Sequence, residues 1–350
     1  MNNLNKRNTA IFTVIAVFLI SFLTSCAAKT TVKRATSLTT VNPTSVKAVI
    51  NIDKYVSQVS DTAPFMVAGL DGGEKVDYVV SSYPVIFSAM TNENKKTNLS
   101  IYKSVSEEFS KMYSSNGFPQ AGLFIRKDLL SESNEESIKS FLKAFDDALT
   151  DLIGGAQNAI SYMNAYGDLN AQKTRFGFAS PVLNGCQKDN KNYLTFINED
   201  PSKEEISSLS SILGINMDLS LFSSLYGVKS DVEAASSSAF TVICPQGAPS
   251  AALAKFASDT TNIDFAQPAQ VSAAFAKGES DFIVFDSVNG MKLSKLNNGN
   301  YLLVRMVTYG NLYIVSTGND EDGIMDDSDY IVSYGEGLVP DLAFKAVFGE

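Results

Sequence analysis

Apolar residues at Ile138, Phe141, Leu142, Phe145, Leu149 and Leu152 recur every three or four positions, which predicts one amphipathic helix in "SESNEESIKSFLKAFDDALTDLIGG". Ser133 and Glu136 have capping-box spacing at its start, and Gly154-Gly155 close it. A different pattern governs "FIVF" (282–285) and "YVVS" (78–81). These runs are apolar or β-favouring throughout, as strands of a parallel sheet covered on both faces require. Each follows an apolar helical stretch and a Gly-x-x-Asp step. The step is Gly278/Asp281 in "VSAAFAKGESDFIVFDSVNGMKL" and, with Gly73 shifted by one, Asp77 in "APFMVAGLDGGEKVDYVVSSYPVIFSAM". After each strand the chain breaks at small polar residues, Asp286-Ser287 and Ser81-Ser82, and starts another helix. The unit occurs twice, which predicts two related α/β lobes. "FTVICPQGAPSAALAKFA" adds a strand, a polar turn and a helix with Pro249 in its first turn.

The amino-terminal pattern belongs to export rather than to the fold. Lys6 and Arg7 precede an apolar run, Ala10–Leu23, that is shorter than the ~20 residues of a spanning helix, so residues 1–25 read as a signal peptide. Leu23-Thr24-Ser25-Cys26 resembles the bacterial lipobox, which implies lipid attachment at Cys26; the alternative is an ordinary cleavage site with a chance cysteine. Residues 26–45, Thr/Ser-rich and without apolar period, suit a flexible tether.

Charge and composition then narrow the chemistry. The net charge is −10, and removing Lys6 and Arg7 with the leader makes it −12. Such a body offers no footprint for nucleic acid and is repelled by an anionic membrane surface. The chain has no histidine, which excludes a Ser-His-Asp triad, a His-ligated zinc and a His proton shuttle. No catalytic residue, cofactor or metal is expected. "GNDEDGIMDDSD" fails as a calcium loop, because aligning Gly323 with the invariant glycine puts Gly318 where the first carboxylate belongs. Cys186 and Cys244 read as buried free thiols, with a disulfide as the alternative.

"CPQGAPSAALAKF", "AAFAKGESDFIVFDSVNGMKL", "VTYGNLYIVST" and "YIVSYGEGLVPDLAFKAVF" resemble the first half of ABC-transporter solute-binding proteins, nearest the nitrate/sulfonate/taurine and thiamine-precursor type. "KVDYVVSSYPVIFSAM", "GFPQAGLFIRKDLLSESNEESIKSFLKAFDDALTDL" and "RFGFASPVLNGCQKDNKNYLTFIN" resemble the second half of that family. The family's second half comes first here, which implies circular permutation. In the usual order "YGEGLVPDLAFKAVFG" would run into a strand like "VKAVINID" (Val46–Asp53), and "YGVKSDVEAASSSAF" (Tyr226–Phe240) would be the joint between the old ends. A mis-assembled gene, or partial domains completed by swapping between chains, are the alternatives. The resemblance implies a two-lobed α/β fold, periplasmic-binding-protein-like (type 2), each lobe a mostly parallel sheet flanked by helices. Lobe 2 would comprise 46–121 and 313–350, and lobe 1 would comprise 122–312. "YGNLYIVS" and "PQAGLFIRK" would be the crossings between them, free to flex as hinges.

In open α/β sheets ligands sit beyond the carboxyl ends of the strands, and helix amino-termini there favour an anionic or acceptor group. The expected ligand residues are Gln246, Gly247, Ala248, Pro249, Ser250, Asp286, Ser287, Tyr309 and Asn311 from lobe 1 and the hinge. Lobe 2 adds Ser81, Ser82, Tyr83, Tyr334, Gly335 and Gly337. The bland readings are that Asp286 caps a helix, Tyr309 packs in the hinge and the serines are caps. "GEGLVP" is a partial dinucleotide fingerprint, with Pro340 in place of the third glycine. The resemblance implies a monomeric, lipid-anchored extracytoplasmic binding protein that captures a small anionic or polar heterocyclic nutrient and presents it to an ABC permease. A lipid-tethered sensor or surface-interaction protein is the alternative. A biosynthetic enzyme on this fold is disfavoured, since those relatives depend on histidine.

Overall fold

Both apolar runs become strands, and they occupy equivalent places in two separate five-stranded sheets. The computed structural model describes residues 56–59, 61–188 and 191–349. The leader, Cys26, the tether and the expected strand Val46–Asp53 lie outside the described residues. The sheet strands in chain order are β1 (Val56–Val59), β2 (Tyr78–Ser81), β3 (Ser100–Ser104), β4 (Pro119–Arg126) and β5 (Val242–Pro245). They continue with β6 (Ile263–Ala266), β7 (Phe282–Asp286), β8 (Tyr301–Tyr309), β9 (Tyr313–Ser316) and β10 (Ile331–Tyr334). The first sheet has the order β1-β10-β2-β9-β3 and the second β6-β5-β7-β4-β8. In the first, β1, β10 and β2 run parallel and β9 is antiparallel to its neighbours β2 and β3. In the second, β6, β5 and β7 run parallel and β4 is antiparallel to its neighbours β7 and β8. The chain is mixed α/β with mixed, open sheets.

The correspondence extends to single hydrogen bonds at the Gly-x-x-Asp step. Asp281 precedes β7; its Oδ2 accepts from the Thr241 amide at 2.9 Å, and its own amide donates to the Thr241 carbonyl at 3.0 Å. Asp77 precedes β2; its Oδ2 accepts from the Tyr330 amide at 2.8 Å, and its amide donates to the Tyr330 carbonyl at 2.9 Å. Thr241 and Tyr330 each stand immediately before the neighbouring parallel strand, β5 and β10. The aspartate therefore satisfies the N–H immediately before that strand and fixes the register of both pairs. Strand β10 thus plays in the first sheet the part that β5 plays in the second. The helix Val339–Phe348 follows β10 in the chain, while β1, the first described strand, pairs parallel with β10.

The chain passes between sheets twice, at Ser114–Phe118 before β4 and at Gly310–Leu312 between β8 and β9. The expected division at 121/122 falls inside β4, all of which pairs in the second sheet. Gly310 has φ +86°, and a Cβ there would collide with Ser106 Oγ; Gly117, with φ +136°, also lies against Ser106 and Tyr309. Both crossings need glycine because they converge on one serine at close quarters.

The long helix forms over Glu135–Ile153 and buries Ile138, Phe141, Leu142, Phe145, Leu149 and Leu152 as expected. Its predicted capping box does not form. A 3₁₀ turn, Glu132–Asn134, precedes it, Asn134 is the N-cap without a side-chain bond, and Ser133 pairs with Ser131 at 3.0 Å. Glu135 and Glu136 still complement the helix dipole from the first turn. The expected helix after β5 is a 3₁₀ coil, Ala248–Phe256, nearly all of it buried. Its small side chains let the narrower coil lie close against Glu135–Ile153 and Gln157–Tyr166. Cys186 and Cys244 are free and buried.

A charged cluster lies inside the second half. Arg305, in the middle of β8, is 1% exposed and pairs with Asp146 on the long helix, Nε to Oδ1 at 2.8 Å and an Nη to Oδ2 at 3.2 Å. Its remaining N–H groups donate to the carbonyls of Leu225, Val304 and Val228. The segment 226–240, expected to be a free linker, is thereby fastened at one end. Ser140 holds it further on, accepting from the Ala235 amide at 3.1 Å and donating to the Glu233 carbonyl at 2.7 Å.

Asp200 sits on the other side of Arg305 at 3.6 Å and accepts from the Met306 amide at 2.6 Å. Burial pushes its carboxyl up to about 6, opposed by that amide and by Arg305. Arg305 and the half-exposed Lys229 lie nearer Asp146, at 2.8 and 3.3 Å, than Arg305 lies to Asp200, so they offset only part of the desolvation cost of the Asp200 charge. The folded chain therefore keeps a proton on Asp200 that the unfolded chain, at about 3.9, releases. Stability is highest below about pH 4 as far as this group is concerned, and falls as pH rises through about 6, by at most roughly 2–3 kcal/mol. Asp329, pushed to about 7 by burial and by Asp320, Asp77 and Asp326, acts with the same sign. Urea denaturation from pH 4 to pH 8 should show this decline, and Asp200→Asn, which keeps the acceptor for Met306, should flatten the part below pH 7. An unchanged slope in the variant would refute the assignment.

Candidate functional site

The expected ligand residues divide into three groups. The first gathers where parallel strands of both sheets end. Asp286 terminates β7 and N-caps the helix Ser287–Leu296, its Oδ1 accepting from the Asn289 amide at 2.8 Å and from Asn289 Nδ2 at 3.1 Å. Its Oδ2 reaches the other half and accepts from the Val339 amide at 3.1 Å, at the start of the helix Val339–Phe348. One carboxylate thus ties together helix amino-termini from the two sheets, the position that free N–H groups and dipoles make favourable for an anion. Burial pushes the Asp286 carboxyl above the ordinary range, against the N–H groups of Asn289, Val339 and Val288.

Around it stand other expected residues. Tyr334, at the end of β10, bonds through its hydroxyl to Ser82, and burial together with the nearby Asp286 raises that hydroxyl to about 12. Ser287 is 0% exposed and its hydroxyl has no protein partner. Gly335 and Gly337 shape the turn with φ +77° and +71°, and the Gly337 amide is taken by Asp341 Oδ2 at 2.8 Å. Ser81 is buried against Thr62, hydroxyl to hydroxyl at 2.7 Å.

The second group forms the crossing. Asn311 is 3% exposed and uses every polar atom. Its side chain accepts from the Tyr83 amide at 3.0 Å and donates to the Tyr83 carbonyl at 2.8 Å. Its backbone donates to Gln120 Oε1 at 2.6 Å and accepts from Gln120 Nε2 at 3.3 Å. Both crossings are locked to each other and to the end of β2. Tyr83 stacks on Tyr193 with centroids 5.0 Å apart and meets Tyr313 edge-on at 5.3 Å. Tyr309 is buried and donates to Glu205 at 3.3 Å. Sequence reasoning missed Gln120, Tyr193 and Tyr313. Gln120 carried the clearest signal, a polar residue opening an apolar strand at a crossing.

The third group, Gln246–Ser250, is engaged elsewhere. The Gly247 amide and the Ser250 hydroxyl both donate to the Phe176 carbonyl, at 2.9 and 3.0 Å, and Gln246 Nε2 donates to the Thr174 carbonyl at 2.7 Å. The carboxyl end of the helix Leu169–Phe176 therefore covers the turn expected to meet an anion, with Ala248 and Pro249 behind it. The groups this turn would have offered a ligand are bonded within the chain. Neither a scan against protein-family models nor a search of curated proteins finds a match to this chain.

Among the described residues no cluster of three or more Cys, Asp or Glu side chains is placed to hold a metal ion. No described helix is long and apolar enough to cross a membrane. A cavity of about 330 Å³ opens between the long helix and the 232–240 segment, lined by Glu136, Ser140, Phe141, Glu233 and Phe240 among others. It lies away from the strand ends and holds none of the expected ligand residues.

Proposed function

We propose that this chain is a lipid-anchored, extracytoplasmic solute-binding protein of an ABC importer, with a circularly permuted, type 2-like fold. Each sheet and its helices form one lobe, and the solute is captured between them at Asp286, Ser287, Ser82 and Tyr334. The observation that carries this reading is the repetition: one strand order and one aspartate junction occur in both sheets, and two crossings join them. Two open sheets joined by paired crossings are suited to hinge closure on a ligand. The Asp286–Val339 bond is a contact that closure makes and opening breaks, so occupancy of the cleft and closure are thermodynamically linked.

A thermal-shift screen of the purified full chain against sulfonates, nitrate, thiamine precursors, riboflavin and amino acids tests the reading. A ligand of the cleft at a hundred times its dissociation constant should stabilise by about 2.7 kcal/mol. A melting temperature unmoved by every class would remove the transport role and leave the tethered sensor or surface-interaction protein as the better account.

A further inference from the structure

The anion position between the two halves is filled by the protein itself. Asp286 accepts three N–H donors at hydrogen-bond distance, from Asn289 twice and from Val339, with the Val288 N–H also acting on it, and all of them are uncharged. Among the described residues no lysine or arginine is paired with it. The carboxylate keeps one unshared acceptor position on Oδ2 and a full negative charge that hydrogen bonds spread but do not cancel. Beside it lies the Ser287 hydroxyl, fully buried and without a partner, a second polar group that no protein atom satisfies. Asp286 as a residue is only partly covered. A small oxyanion entering here would meet a carboxylate already bonded to the N–H groups it needs, in a chain whose net charge is −10. Like charges at that range in a poorly solvated cleft repel strongly, whereas a cation is attracted locally and by the field of the whole chain.

We propose that Asp286 sets the class of solute: the cleft takes a small organic cation, such as an amine or a protonated nitrogen heterocycle, and excludes sulfonates, nitrate and phosphate. The cation would donate to the free Oδ2 position, with Ser287 as a further acceptor and the Tyr334–Ser82 pair as the wall opposite. The inference rests on the solute-binding reading of this cleft and narrows its ligand.

The test uses the full chain and two variants, titrated in a thermal-shift or calorimetric assay with ethanolamine, agmatine and 4-aminopyridine as cations. Ethanesulfonate, nitrate and inorganic phosphate form the anion arm. Asp286→Asn keeps the shape and the helix cap without the charge, and Asp286→Ser keeps a good cap while vacating the seat. The native chain should respond to at least one cation and to none of the anions. Both variants should bind that cation about tenfold to a hundredfold more weakly, as expected for loss of a charged hydrogen bond. Asp286→Ser should gain a phosphate or sulfonate response. Anion binding by the native chain would overturn the inference while leaving the solute-binding reading intact. So would cation affinity unchanged in both variants, or silence of the native chain to every cation together with no anion gain in Asp286→Ser. Failure of the broader reading looks different: native chain and variants alike would also ignore neutral solutes such as riboflavin and the amino acids.

Discussion

Replacing Arg305 with methionine should destabilise the chain by about 3–5 kcal/mol, the usual cost of removing one partner from a buried ion pair. The guanidinium is 1% exposed and serves Asp146 and three carbonyls at once, so methionine fills much of the volume and none of the bonds. Asp146 would remain on the buried face of the long helix with Lys229 at 3.3 Å as its surviving cation. Leu225 and Val228 would lose the donors that hold the start of the joining segment. Chemical denaturation measures the loss directly. Pairing Arg305→Met with Asp146→Leu should recover a large part of it, because the uncompensated carboxylate is then gone. Equal losses in the single and double variants would show that the arginine acts on the segment 225–228 rather than through the ion pair.

Asn311→Ala should cost roughly 2–4 kcal/mol in the unliganded chain, since it strands the buried Tyr83 amide and carbonyl together. The same residue was expected from sequence to touch the ligand. The two roles separate cleanly: a side chain that only contacts ligand would leave unliganded stability within about 0.5 kcal/mol of the native value, as exposed positions do. Urea denaturation without ligand therefore decides between them. The structure places Asn311 as the clasp of both crossings, so a fall in stability is expected, along with easier separation of the two halves.

What could be read from the chain and what could not follows the range of the interactions. β2 and β7 were legible because a strand covered on both faces writes its burial into every residue. The Gly-x-x-Asp step was legible as a pattern, yet its meaning was not, because Asp281 bonds to Thr241 and Asp77 to Tyr330 on the far side of the chain. Asp286, Ser287, Ser82 and Tyr334 were found together because each ends or follows a parallel strand, a local property that topology then concentrates. Gln246–Ser250 satisfied the same local rule and was covered by Phe176, which only the packed structure reveals. The capping box at Ser133 failed for the opposite reason: its spacing is common, and a 3₁₀ turn shifted the helix start by one residue. Arg305 gave no warning at all, a single charge in a run whose partner Asp146 lies on another element.

The place of β10 between β1 and β2 has a consequence for assembly. During synthesis β1 and β2 emerge early, but neither can find its parallel neighbour until Ile331–Tyr334 has left the ribosome. The sheet made from the earliest described residues is thus the later one to be completed. The other sheet needs nothing beyond Tyr309, and long-range closure of this kind is slow. Until the last strand arrives, β1 and β2 keep unpaired edges, a form dependent on protection from aggregation.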